Sequence, residues 1–191
     1  MLPNRLFFTG VPGSRWSGIA QTLELLTGFN TSDRNANREY LHNGFTGHTG
    51  AYFGKGMEYE PCLSPDYIDS AWAINKGTKV VKSHDWAYNL QSVKDTFPND
   101  WIMLVYRPDM ASYAWWHQAG GFNIKYPSYT AYKDSATMLG KIAEQNSCIL
   151  QFAQMHDLTW NYFTTKWIKE NFNQHIEIKQ KWSDILVTLL K

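Results

Sequence analysis

Three short segments of this sequence carry residue types whose spacing suits handling of an anionic group. The first is Gly10-Val11-Pro12-Gly13-Ser14-Arg15-Trp16-Ser17. A glycine-containing turn that leads into a helix presents backbone N–H groups and the positive end of the helix dipole. Ser14 and Ser17 add hydroxyl donors, and Arg15 adds a forked cation that matches phosphate oxygens. The second is Lys82-Ser83-His84. Alternation along a strand puts Lys82 and His84 on one side, where the cation could steady leaving oxygens and the imidazole accept a proton. The alternative is a solvated pair at a strand end. The third is Arg107 followed by Ser112, an arginine beside a helix start and a natural second phosphate site. Its alternative is an arginine that caps sheet carbonyls or pairs with Asp109.

The elements that must position these groups can be read from apolar periodicity. Arg5 to Thr9 reads as a buried strand, residues 10–14 as a turn, and Ser17 to Leu26 as a helix stopped by Gly28. Residues 29–61 show no sustained period and read as a long excursion; loops of that length tend to be functional. Pro65 to Asn75 reads as a short helix capped by Ser64. Thr78–Lys82 and the continuous apolar run Trp101–Tyr106 read as strands, with a helix from about Asn89 to Phe97 between them. Helices are expected from Asp109 to Gln118, from about Tyr132 to Met155 and from about Tyr162 to Phe172. His175 to Lys191 is ambiguous between strand and helix. The alternation predicts a single α/β domain with a mainly parallel sheet flanked by helices and a P-loop-like strand–loop–helix at its start. In such sheets the ligand crevice lies beyond the carboxyl ends of the strands. All three chemical segments fall there.

Composition narrows the function classes. The 191 residues contain 18 Lys+Arg and 17 Asp+Glu, a net charge of +1, which gives no global field for nucleic acid or an anionic membrane. Aromatic residues make up 16% of the chain, too many for an intrinsically disordered one. No apolar run approaches the ~20 residues of a membrane span, and the start is too short in apolar residues for a signal peptide. Cys62 and Cys148 form neither a disulfide framework nor a metal-ligand pattern, so a cytoplasmic setting with reduced thiols and no metal is expected. The loop is also not a Walker sequence, since no lysine lies between Arg5 and Lys55.

Taken together the three segments resemble the nucleotide-dependent sulfotransferases, which use 3'-phosphoadenosine-5'-phosphosulfate (PAPS) and release PAP. Gly13, Ser14 and Trp16 stand at the Gly, Thr and Trp of that family's loop. Val80-Val81-Lys82-Ser83-His84 is similar to its strand ending Lys-Thr-His. Trp101 to Ser112 is similar to its 3'-phosphate segment. The resemblance implies that Pro12 to Ser17 hold the 5'-phosphosulfate and that Trp16 lies against the adenine. It implies that Arg107 and Ser112 hold the 3'-phosphate. His84 would be the general base and Lys82 would stabilise charge during transfer to a hydroxyl or amine of a small-molecule or glycan acceptor. Val11 stands at the family's loop lysine, and the interval from Arg107 to Ser112 is shorter than the family's.

Acceptor binding would fall to residues 29–61 and 117–135. Glu58 and Glu60 are alternative bases, although a loop carboxylate is ordinarily solvated. Trp116 and His117 could line an acceptor pocket, or pack as core. The competing readings are a non-catalytic PAP-binding protein, motivated by Val11, and a kinase-like phosphotransferase, which would need Mg²⁺, ATP and the missing lysine. A third is an interaction protein with an aromatic docking surface.

Overall fold

The strand β1 (Arg5–Gly10) is buried along its whole length, because its neighbours cover both edges and both faces. The computed structural model describes residues 2–31, 62–72, 76–123, 133–179 and 182–191. Beside β1 lie β3 (Thr78–Lys82) and β4 (Trp101–Tyr106), both parallel to it. The full order is β2-β3-β1-β4-β6-β5, with β2 (Phe29–Asn30), β5 (Asn161–Tyr162) and β6 (Leu186–Leu190) completing six strands. β2 pairs parallel with β3, whereas β6 runs antiparallel to both β4 and β5. The sheet is therefore mixed: β2, β3, β1 and β4 are parallel neighbours, as expected of a mainly parallel sheet, and β6 is inserted antiparallel.

Alternation along β1 sends Phe7 to one face and Leu6 and Phe8 to the other, and each side has its own core. On the first face lie α2 (Pro65–Asp69), α3 (Leu90–Thr96), α4 (Asp109–Gln118) and α5 (Ser135–Met155), with Trp86 fully buried among them. On the second lie α1 (Trp16–Leu23) and α6 (Thr165–Phe172). The chain thus leaves β1 toward one face, and leaves β3 and β4 toward the other. That reversal makes the carboxyl end of β1 the place where a crevice opens in α/β sheets.

Local chemistry sets most boundaries. Ser64 accepts the Tyr67 amide at 3.4 Å and Pro65 opens α2, as read from the sequence, but the helix ends at Asp69. Asp134 caps α5 through the Thr137 amide at 2.8 Å, and Thr164 caps α6 through that of Trp167 at 3.1 Å. The helix read over 89–97 is α3, capped by Asn89 and Phe97, and a 3₁₀ turn at His84–Asn89 precedes it. Phe29–Asn30 pairs as β2, so the first two residues of the expected excursion belong to the sheet. Residues 32–61, with Glu58 and Glu60, and residues 124–132 lie outside the described residues.

The stretch after α6 explains the antiparallel edge. α6 runs back toward the amino ends of the strands, where Phe172 meets Phe29 and Trp101. There Gln174 exchanges two hydrogen bonds with the backbone of Thr27, at 2.7 and 2.8 Å. The chain then climbs back: the Ile178 amide reaches Thr165 Oγ1 at 2.9 Å, and the Trp182 indole packs over Gly18 in α1. β6 consequently enters the sheet from the carboxyl-end crest and must descend.

At the opposite end a buried ion cluster ties three strands. Arg5 donates to Asp69 through Nε and Nη2, at 3.0 and 2.8 Å, and to Asp100 Oδ2 through Nη1 at 2.9 Å. Its backbone amide takes the other Asp100 oxygen at 3.0 Å, and Lys79 joins Asp69 at 2.9 Å. Removing one member of such a buried pair leaves an uncompensated charge. Asp100→Ala is accordingly expected to cost about 3–5 kcal/mol of unfolding free energy, measured by urea denaturation.

Candidate functional site

The carboxyl ends of β1, β3 and β4 bring the three sequence segments into contact. After Gly10 the chain makes a tight turn closed by the Ser14 amide on the Val11 carbonyl at 3.0 Å. Gly13 takes φ +78°, and a Cβ there would stand 1.9 Å from the Ser112 carbonyl oxygen. The glycine therefore lets the loop lie directly against α4. Arg15 follows in the left-handed region with φ 62° and gives α1 no side-chain cap. The first-turn amides of α1, those of Trp16 and Ser17, accordingly have no partner within the helix.

From β4, Arg107 reaches across to this loop. Its Nη1 donates to the Gly13 carbonyl at 3.1 Å. Its Nε donates to Asp184 Oδ2 at 2.8 Å, and Nη2 forms an ion-pair contact with the same oxygen at 2.7 Å. The partner is thus Asp184 and not Asp109, whose carboxylate accepts from Asn146 Nδ2 at 2.6 Å. Asp109 is the first residue of α4 and Pro108 the residue before it. Arg15 lies over the Trp115 ring, 3.6 Å from Cζ to centroid. Burial and the neighbouring Arg107 lower its guanidinium from the ordinary value, with Asp184 opposing. Two arginines therefore face one carboxylate.

From β3 comes His84, buried at the start of the 3₁₀ turn. Its Nδ1–H donates to the Gly10 carbonyl, so the neutral ring carries its lone pair on Nε2. The ring stacks on Trp16 with centroids 4.1 Å apart. The His84 carbonyl accepts from Thr9 Oγ1 and from Gln145 Nε2, each at 3.2 Å. Burial pushes the imidazole down to about 4, helped by Lys141 and opposed by the Gly10 hydrogen bond and Asp85. Lys82, at the end of β3, is buried too. A solvated pair at a strand end is therefore not what these two residues form.

Several predicted residues occupy other roles. Val11 belongs to the core on the α4 side, and Ser14 is fully buried with Oγ lacking a hydrogen-bond partner among the described residues. Trp16 is packed between Phe8, at 5.6 Å, and His84, so its ring lies inside the fold. The Ser112 hydroxyl is buried and donates to the Arg107 carbonyl at 3.3 Å. Trp116 is core, while His117 is exposed and bonded to the Tyr113 hydroxyl at 2.8 Å. Ser17 is half-buried on the first turn of α1, and Pro12 is inside the turn.

Sequence reasoning missed Asp184, Trp182 and Phe163. Trp182 and Phe163 stack at 5.9 Å and help line a cavity of about 490 Å³ with Thr164, Lys166, Ile178 and Ser183. That volume is within the range of small-molecule sites, and it opens one residue from Asp184. The only available signal was the Trp182-Ser183-Asp184 turn before an apolar run, which carries no pairing information. Comparison with protein-family models, curated proteins and solved structures finds no match for the chain.

The buried His84 makes stability depend on pH. Its folded value lies below the unfolded 6.5, so the unfolded chain binds the extra proton and stability falls as pH drops. The loss should begin near pH 6.5, level off below about 4 and total roughly 3 kcal/mol. Thermal unfolding across that window is expected to show a slope that His84→Gln diminishes.

Proposed function

We propose that this chain transfers a sulfuryl group from PAPS to a hydroxyl or amine of a small-molecule or glycan acceptor. The observation that carries the reading is the meeting of the three anion-handling segments at the switch point of the sheet, with His84 bonded to Gly10 and Arg107 to Gly13. The phosphate end of the nucleotide has suitable residues: the uncapped start of α1, Arg15 and Arg107. The remaining contacts differ from the family's. Ser112 and Trp16 are occupied within the fold, and the cavity that ends one residue from Asp184 is walled by the aromatic surface of Trp182 and Phe163. We assign the planar base to that surface and the phosphates to Arg15, Arg107 and Ser17.

PAPS, when bound, supplies the activated sulfuryl group and leaves as PAP. The protein's part is to hold anionic oxygens with its arginines and to take the acceptor's proton at His84 Nε2. The Gly10 carbonyl fixes the tautomer needed for that step by holding the Nδ1 proton. A value near 4 keeps the imidazole unprotonated throughout the neutral range. The acid limb of kcat/KM is therefore expected near pH 4, well below the ordinary histidine value.

The second reading, nucleotide binding without turnover, is favoured by Val11, whose side chain is in the core where the family has a lysine. Calorimetric titration with PAP, with ATP–Mg²⁺ as control, separates these from the other classes. Arg107→Ala is expected to weaken PAP by about 2–4 kcal/mol, the loss of a charged phosphate contact. His84→Ala should leave PAP affinity within a few-fold and abolish sulfuryl transfer in an acceptor screen. PAP binding with no product from any acceptor would favour the non-catalytic reading, and absence of PAP binding would sink both.

A further inference from the structure

Arg107 and Arg15 bring two positive charges to the crest, and among the described residues a single carboxylate, Asp184, lies between them. Asp184 comes from a distant part of the chain, 77 residues beyond Arg107, carried up by the segment that climbs from Gln174 to Trp182. Two features distinguish it from an ordinary structural ion pair. First, both Arg107 nitrogens converge on one oxygen, Oδ2, at 2.8 and 2.7 Å, whereas a guanidinium edge is shaped to grip two oxygens in parallel. Second, the Asp184 side chain is 40% exposed while Arg107 is only 12% exposed, so the carboxylate covers the arginine from the solvent side. Among the described residues Arg107 is the sole ion-pair partner of Asp184.

We propose that Asp184 is an internal counter-anion, displaced from Arg107 by an incoming phosphomonoester dianion, so that only an anion that outcompetes the tethered carboxylate occupies the site. The inference rests on the anion-binding reading above. A monoanion that replaces Asp184 trades one negative charge for another and forfeits the high effective concentration of a tethered group. A dianion neutralises both guanidiniums, which the single carboxylate leaves with a residual positive charge. It also presents two oxygens to the Nε–Nη2 edge that Asp184 meets with one. The exchange needs no rearrangement of β4, because Arg107 keeps its third contact on the Gly13 carbonyl. Asp184 lies in the turn before β6, so its side chain can swing outward while the strand stays paired.

The test is calorimetric titration of the wild type, Asp184→Asn and Arg107→Ala with two probes. One is adenosine 3',5'-bisphosphate, which carries dianionic monoesters. The other is adenosine 3',5'-cyclic monophosphate, a monoanionic diester. If the resident carboxylate closes the site about nine-tenths of the time, removing its charge tightens the bisphosphate about tenfold. The cyclic diester, which must displace the same carboxylate, should tighten by a similar factor in Asp184→Asn, so the gain belongs to the resident charge and not to the probe. Asp184→Ser, which removes the same charge, is expected to reproduce the gain, and thermal melting checks that each variant is folded. Unchanged or weaker bisphosphate binding in both Asp184 variants, with binding still weakened by Arg107→Ala, would overturn the counter-anion and leave the anion site standing. No binding of either probe to the wild type or to the Asp184 variants would overturn the anion site and this inference with it.

Discussion

Everything at the crest depends on one constraint: β1 has neither a free edge nor a free face. Paired on both sides by parallel strands and covered by Phe7 on one core and Leu6 and Phe8 on the other, it can end only into the space between the two helical layers. The loop after Gly10 therefore has little room, and its residues are chosen for fit. Gly10 abuts Val105 and Ser14, and Gly13 abuts the Ser112 carbonyl so closely that any side chain would collide. This contact brings the Gly13 carbonyl within reach of Arg107 and leaves Gly10 to receive His84. Steric necessity and hydrogen bonding place the groups together, and the chemistry proposed for them follows from that placement.

Polar groups behind the crest hold it in register. Gln145 and Asn146, adjacent on α5, bond the carbonyls of His84 and Arg107, the residues that leave β3 and β4. Gln145 also reaches Asp85, which Lys141 joins at 3.1 Å. A single helix thus adds a second donor to carbonyls at the ends of two strands, beside Thr9 on His84 and Ser112 on Arg107. Gln145 Oε1, Asn146 Oδ1 and Ser14 Oγ are buried without a hydrogen bond among the described residues.

How much of this could be read from the sequence varied with the physical signal. β4 is a continuous apolar run and β1 and β3 hold short apolar cores, Leu6–Phe8 and Val80–Val81, the pattern that burial on both faces writes. The three segments at their carboxyl ends were legible for the same reason, since the topology forces them together. β2 and β5 are two residues each, too short for any periodicity, so one was read into an excursion and the other into a helix. Trp16 and Ser112 illustrate a different limit. Residue type suggested ligand contacts, but packing used the indole as core and the hydroxyl to bond the backbone. Asp184 was invisible because nothing local announces a partner 77 residues away.

The climb of the chain from Gln174 to Trp182 has a consequence for biosynthesis. Arg15 and Arg107 are made well before Asp184, and β6 is the element that completes the edge of β4. Until it arrives, the nascent protein carries two uncompensated cations beside an unpaired strand, a combination that invites wrong contacts. The long-range β4–β6 pairing also has a high loop-closure cost, which makes it a slow step relative to the local helices.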